Sequence, residues 1–248
     1  MRLEGKIAIV TGGGSGFGEG IVRKFVAEGA RVVVADRDAT SAARVAGSAG
    51  SRARAITSDV TVDADVAAMV AAAIEGFGGL DLLVNNAGVI HAAHPLESLP
   101  EELFDRIFAV NAKALYLTAR HVVPHFKRAK AGTILNIGST GGVRPRPNLT
   151  WYNATKGWVI TATRGMAIEL APFGIRVNAI NPGAGDTPLL KNFMGGDNPE
   201  MRAKLLATIP FGRYTTPQDI GNTAAFLCSD EASMITGVAL EVDGGRCI

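Results

Sequence analysis

Tyr152 and Lys156 stand four residues apart in the run Tyr152-Asn153-Ala154-Thr155-Lys156-Gly157, a spacing that puts two side chains on one face of a helix. Ser139 precedes Tyr152 by thirteen residues, after the apolar run Gly132-Thr133-Ile134-Leu135-Asn136-Ile137-Gly138, which reads as a strand delivering its hydroxyl to the same edge. Three such groups suit a carbonyl that receives a hydride. Its oxygen then needs a proton, and a phenol supplies one if a neighbouring ammonium draws its pKa from about 10 toward working pH. A fall of about 3 units corresponds to roughly 4 kcal/mol, attainable for a nearby charge in a partly dry site. Ser139 would hydrogen-bond the carbonyl oxygen and orient it. A tyrosine and a lysine on one helix face are also a common surface pair, so the meaning of this pair depends on what the rest of the chain brings to it.

The segment Ile7 to Val10 is an apolar strand, Thr11-Gly12-Gly13-Gly14-Ser15-Gly16-Phe17-Gly18 a glycine corner, and Phe17 to Glu28 an amphipathic helix. Such a corner can cradle a phosphate. Gly12, Gly13 and Gly14 tolerate positive φ, and Gly16 and Gly18 let a diphosphate and the strand approach the backbone closely. The free N–H groups and positive dipole end of the helix then face the anion. A second apolar strand, Arg31 to Asp36, ends in a carboxylate twenty residues beyond Gly16, the distance at which an acid in this motif reaches the adenosine ribose hydroxyls. Its charge repels a 2′-phosphate, which favours NAD over NADP. Arg37 keeps NADP open, because a guanidinium beside the ribose is the usual acceptor of that phosphate.

The elements that must position these groups follow in order. Asp38 to Ser51 reads as a short helix with its loop, Ala53 to Val60 as a third strand, and Thr61 or Asp63 as the cap of a helix from about residue 64 to Phe77. Asp59, at that strand's edge, either accepts from the adenine amino group or caps the turn. Leu80 to Gly88 is a fourth strand ending in Asn85-Asn86-Ala87-Gly88, either a tight turn or a place where a ribose comes close to backbone. Leu103 to Lys127 has a helical pattern interrupted by Pro124, with Asn111 in its middle, either exposed or holding a water. His91 and His94 follow in a loop near the same sheet edge and read as solvated residues, with contact to a substrate as the alternative. His121 and His125 lie one turn apart without the glutamate a zinc helix would carry after His121, so they read as a surface or interface face. Pro188 to Pro210, with Phe193, Met194, Gly195-Gly196 and Met201, suits an apolar lid on a glycine hinge. Arg144 and Arg146 read as solvated or interface residues, with attraction of an anionic substrate as the alternative. Pro217 to Leu227 is the last helix, and Val238 to Gly245 a seventh strand and its turn.

Bulk properties narrow the partners. The 248 residues fit one α/β domain, and a net charge of +2 gives no reason to expect nucleic acid or an anionic membrane. Small molecules are the expected partners. Cys228 and Cys247 follow no metal spacing and are expected as free thiols. No signal-peptide core opens the chain and no apolar run approaches membrane-spanning length, so the expected location is the cytoplasm.

Thr11-Gly12 with Gly16 and Gly18, Asp36, Asp59, Asn85-Asn86-Ala87-Gly88, Asn111, Ser139, Tyr152 with Lys156, and Asn181-Pro182-Gly183 with Thr187 resemble the short-chain dehydrogenase/reductase family, in the family's order and over nearly the whole chain. The resemblance implies Tyr152 as acid/base, Lys156 on the nicotinamide ribose, Ser139 on the carbonyl, and Asn111 behind a water relay. It implies that Pro182 to Thr187 contact the nicotinamide amide. Cofactor contacts are expected from Gly12, Ser15, Gly16, Phe17, Gly18, Asp36, Arg37, Asp59, Val60, Asn86, Ala87, Gly88, Pro182, Gly183, Gly185 and Thr187, besides Tyr152 and Lys156, with no metal site. Gly185 departs from the pattern, since many relatives place an apolar residue there.

The expected fold is a single Rossmann-type doubly wound α/β domain over residues 1–248, with seven mostly parallel strands, helices on both faces, and a lid at about 188–210. The expected reaction is reversible hydride transfer between NAD(H) and a small secondary alcohol or ketone, a sugar or hydroxyacid included. Reduction of a 3-oxoacyl thioester with NADPH is the alternative, in conflict with Asp36. A nicotinamide-sensing binding protein is the non-enzyme alternative, although cofactor binding alone would not require Ser139 or Tyr152. The resemblance also implies a homotetramer, paired through the last strand's edge and two long central helices.

Overall fold

The computed structural model describes residues 1–194, 196 and 198–248, without the side chains of 191–193. All seven predicted strands join one sheet: β1 (Ile7–Thr11), β2 (Arg31–Asp36), β3 (Ala53–Thr57), β4 (Leu82–Asn85), β5 (Gly132–Ile137), β6 (Ile175–Pro182) and β7 (Ala239–Val242). Their order is β3-β2-β1-β4-β5-β6-β7, and every pairing is parallel. β1 and β4 are buried throughout, which is why they read as unbroken apolar runs rather than alternating ones.

The helices are α1 (Gly16–Ala27), α2 (Ala39–Ser48), α3 (Asp63–Phe77), α4 (Glu101–Phe108), α5 (Ala114–Ala129), α6 (Thr150–Leu170), α7 (Pro188–Met194), α8 (Pro199–Leu206) and α9 (Pro217–Cys228). Alternate strand residues feed two cores on opposite faces. On one face Val10, Val34 and Val84 meet Phe25 of α1, Val45 of α2 and Ile220 of α9. On the other Ile9, Val33 and Leu83 meet Met69 of α3, Phe126 of α5 and Leu170 of α6. The chain winds outward in one direction from β1 and in the other from β4. At that switch point the carboxyl ends of the strands diverge and leave a crevice.

Three local expectations need correcting. β3 stops at Thr57, short of Val60: its last ladder bond is the one Ser58 N–H gives to the Asp36 carbonyl at 2.9 Å, at the end of β2. Neither Thr61 nor Asp63 caps α3, whose N-cap residue is Val62. Thr61 is instead held by the Asp59 carboxylate, to which its Oγ1 donates at 2.7 Å. The third correction concerns Pro124, which lies inside α5 without ending it. Leu117, Val122 and Phe126 are buried on both sides of it, and that packing offsets a lost bond that costs about 3 kcal/mol in a helix interior. The interruption falls earlier, in a π-turn at Ala109–Lys113 centred on Asn111.

Candidate active site

A cleft of about 560 Å³ opens at the carboxyl ends of the strands. Its walls hold every site residue expected from the sequence except Gly18 and Asn111, which stand behind them. At one end β1 turns through Gly12 at φ +62° into α1. A Cβ on Gly18 would fall 2.0 Å from the Gly12 carbonyl oxygen, so only glycine lets the first turn of α1 press against the strand end. Asn86 fastens this corner to β4, its Nδ2 donating to the carbonyls of Thr11 at 2.9 Å and Gly12 at 3.1 Å. Asp36 receives the N–H of Gly14 and of Asp38, each at 3.0 Å, and its carboxylate is thereby fixed at the cleft edge beside Arg37. Asp59 serves its own turn through Thr61, and those bonds, more than the nearby Arg37 and Arg106, hold its carboxyl below the ordinary aspartate range.

At the other end β5 delivers Ser139 and α6 delivers Tyr152 and Lys156. Ser139 Oγ accepts from Gly141 N–H at 3.0 Å, which fixes the hydroxyl. Lys156 is buried and its Nζ donates to the Ile137 carbonyl at 2.8 Å. Burial draws that ammonium down to about 8. Tyr152 is buried as well, and the direction expected for its phenol is reversed: burial pushes it above its ordinary value, opposed by the Ser139 hydroxyl and the charge of Arg146. The helix spacing brings Lys156 to the site, but its hydrogen bond runs to the β5 backbone.

Asn111 occupies the π-turn with its side chain fully engaged. Its Oδ1 accepts from Val89 N–H at 2.9 Å, and its Nδ2 donates to the Val89 carbonyl at 2.9 Å and to Thr155 Oγ1 at 3.2 Å. The π-turn is a segment where i→i+5 bonding often marks a functional position.

The family model described as enoyl-(acyl carrier protein) reductase matches residues 12–246. 4-Formylbenzenesulfonate dehydrogenase of Comamonas testosteroni is 47% identical over 252 residues, covering 100% of both chains. The chain belongs to the short-chain dehydrogenase/reductase family. Galactitol 2-dehydrogenase of Agrobacterium fabrum is 38% identical, over 99% of each chain. Among solved structures, a 3-ketoacyl-(acyl-carrier-protein) reductase from Brucella melitensis complexed with NADH is 54% identical, with a TM-score of 0.94 over 99% of this chain and 100% of that one. NAD⁺-bound xylitol dehydrogenase is 30% identical, with a TM-score of 0.92 over 99% and 100%.

This short-chain dehydrogenase/reductase is therefore an oxidoreductase, and its departure at Gly185 has a local cause. A Cβ there would fall 2.2 Å from the Phe17 ring, so an aromatic side chain from α1 fills the room that an apolar residue at 185 would take. The substrate end was less readable. His91, expected in solvent, is buried in the cleft wall, with Nδ1 2.6 Å from the Ala92 carbonyl oxygen and no partner for Nε2 among the described residues. A carbonyl only accepts, so Nδ1 carries a proton. Arg146 also lines the cleft, with Leu149, Asn153 and Leu190. His121 pairs with Asp63 at 2.9 Å, and no cluster of metal-ligating side chains occurs among the described residues. Of the predicted hinge, Gly195 lies outside the described residues, as does the side chain of Phe193. No helix among the described residues is long and apolar enough to cross a membrane.

Proposed function

We propose that the protein catalyses reversible hydride transfer between NAD(H) and a small secondary alcohol or ketone, within one domain whose segment 188–210 covers the substrate, and that it works as a homotetramer. The observation that carries this reading is the meeting of Ser139, Tyr152 and Lys156 at one end of a cleft whose other end is a glycine corner faced by Asp36. The residues fit a nicotinamide dinucleotide. Gly12 and Gly16 leave the backbone open for a diphosphate at the α1 N-terminus, and Asp36 and Asp59 stand where a ribose and an adenine would be held. A Cβ on Gly88 would lie a relaxed 3.6 Å from Lys156 Nζ, so the space beside the ammonium is free for ribose hydroxyls. The solved relatives that hold NADH and NAD⁺ support the choice of cofactor.

When bound, the nicotinamide accepts or donates the hydride. Tyr152 holds the proton that the substrate oxygen gains in reduction and takes it back in oxidation. Ser139 donates to that oxygen and fixes its orientation. Lys156, braced on Ile137, holds the cofactor ribose, and the raised phenol pKa keeps Tyr152 protonated and ready as an acid. Phe17 packs against Gly185 and closes the cleft around the ring.

A second reading, reduction of a 3-oxoacyl thioester, is favoured by the 54% identical reductase of that class, whose structure holds NADH. Acetoacetyl thioesters therefore belong beside alcohols, hydroxyacids and sugars in the substrate trials. The choice of NAD is tested by Asp36→Ala. With kcat/KM as the readout, the preference for NAD over NADP is expected to fall by about tenfold or more, the loss of roughly 1.4 kcal/mol of discrimination. An unchanged preference would remove Asp36 as its cause.

A further inference from the structure

The loop between β5 and α6 carries two arginines that the sequence left equivalent, and the structure separates them. Arg144 is exposed and its Nη1 donates to the main-chain oxygens of Arg246 at 3.0 Å and Ile248 at 3.3 Å, so it fastens the segment after β7. Arg146 is half-buried and turns into the cleft, where it shares the wall with Tyr152, Leu149 and Leu190. Its main chain is tied to the helix that bears the phenol: the Arg146 carbonyl accepts from Asn153 Nδ2 at 2.8 Å. Arginine and tyrosine are thus held on one frame.

Among the described residues, the Arg146 guanidinium has neither a carboxylate nor a hydrogen-bond acceptor. The titratable groups that act on it are Arg246, Tyr152 and Cys247, and the first repels it. No carboxylate acts on Arg146 by way of Arg246. The Arg246 Nε donates to Thr208 Oγ1 at 3.1 Å, while its Nη1 is buried without an acceptor. The one carboxylate acting on Arg246, that of Asp243, already receives Gly245 N–H at 2.9 Å and Cys247 N–H at 2.8 Å. Burial, and next the charge of Arg246, draw the Arg146 guanidinium down to about 10. Two neighbouring guanidinium groups, partly desolvated and short of an anion, form an arrangement that an oxoanion relieves. The planar fork of arginine matches a carboxylate or sulfonate bidentately.

Building on the oxidoreductase reading above, we propose that the substrate carries a carboxylate or sulfonate, and that Arg146, backed by Arg246, binds it while the reacting carbon meets Tyr152. The apolar part of the substrate then packs on Leu149 and Leu190. Charge at one end and a carbonyl or alcohol at the other define the class.

Two measurements test this. In the first, NADH-dependent reduction of the ketone 4-acetylbenzoate is compared with that of its neutral analogue 4-acetylbenzamide. Wild type is expected to favour the carboxylate by about thirtyfold in kcat/KM, Arg146→Gln to lose most of that preference, read as the ratio of the two rates because the Arg146 charge also acts on the Tyr152 phenol, and Arg146→Lys to recover part of it. The second needs no turnover: calorimetric binding of 4-methylbenzoate and 4-methylbenzamide to the enzyme loaded with NAD. The benzoate is expected to bind more tightly than the amide, and Arg146→Gln to weaken it by about tenfold or more. Reduction of both ketones at equal rates, without Arg146-dependent benzoate binding, would overturn the anion site and leave hydride transfer standing. Benzoate binding that depends on Arg146, with neither ketone reduced, would uphold the anion site and count against hydride transfer to such carbonyls.

Discussion

Phe17 and Gly185 occupy one space from opposite ends of the sequence, and that pairing decides what either position tolerates. Gly185→Val would drive a side chain into the Phe17 ring, which lies 2.2 Å from where the Cβ would sit. The KM for NAD is expected to rise by about tenfold or more, and adding Phe17→Ala to restore most of it, as coupled neighbours do. Steady-state kinetics on the two single variants and the double variant check this. Gly185 was legible as a departure from the family pattern, but its cause was not, because the ring that explains it comes from α1. The same limit applied to the catalytic groups. The spacing of Tyr152 and Lys156 gave a shared helix face, yet where the ammonium points depends on the backbone of β5, and the charge that acts on the phenol is that of Arg146.

The elements that carry the site are braced by a buried polar chain that the sequence did not disclose. Asn85 Nδ2 donates to Asn136 Oδ1 at 2.9 Å, and Asn136 Nδ2 donates to Thr163 Oγ1 at 2.9 Å, joining β4, β5 and α6. Both asparagines sit among apolar strand residues, where period and propensity alone give no partner. Replacing Asn136 by Ala strands the Asn85 amide away from water, while the Thr163 hydroxyl keeps its bond to the Val159 carbonyl at 2.8 Å. Asn136→Ala is expected to cost about 2 kcal/mol, read as a lower denaturant midpoint with an unchanged slope. The strands and most helices were readable from apolar period, glycine corners and prolines. The exceptions were set by tertiary contacts. Asn111 breaks the α4–α5 run because its amide is committed to Val89 and Thr155, and α5 passes Pro124 because both flanks are buried.

Across the whole molecule, strand order was legible only through resemblance, since nothing in a strand's composition says which neighbour it takes. The crevice follows from that order. Charge on α1 makes a separate prediction about acid. Arg44, at 2.6 Å, and Arg23, at 2.7 Å, hold the Glu19 carboxyl at about 2. A carboxylate depressed in the folded state stabilises fully above its unfolded value near 4.5, and that contribution is lost as pH falls toward 2. Both arginines are about half exposed, so screening limits the effect to about 1 kcal/mol or less. Thermal unfolding of Glu19→Gln between pH 5 and 2.5 should show a shallower acid decline than wild type; an identical decline would mean the pairs contribute nothing. The site itself is best probed by NADH formation from NAD over secondary alcohols, hydroxyacids and sugars, run on wild type beside Tyr152→Phe with NADH binding followed by fluorescence. Turnover is expected to fall by roughly 10²–10⁴-fold in the Phe variant, the usual worth of a positioned acid/base, while NADH affinity stays within about threefold. Equal turnover in the two proteins would contradict Tyr152 as the proton carrier, and tight NADH binding without turnover of any alcohol would favour a nicotinamide-sensing protein over an enzyme.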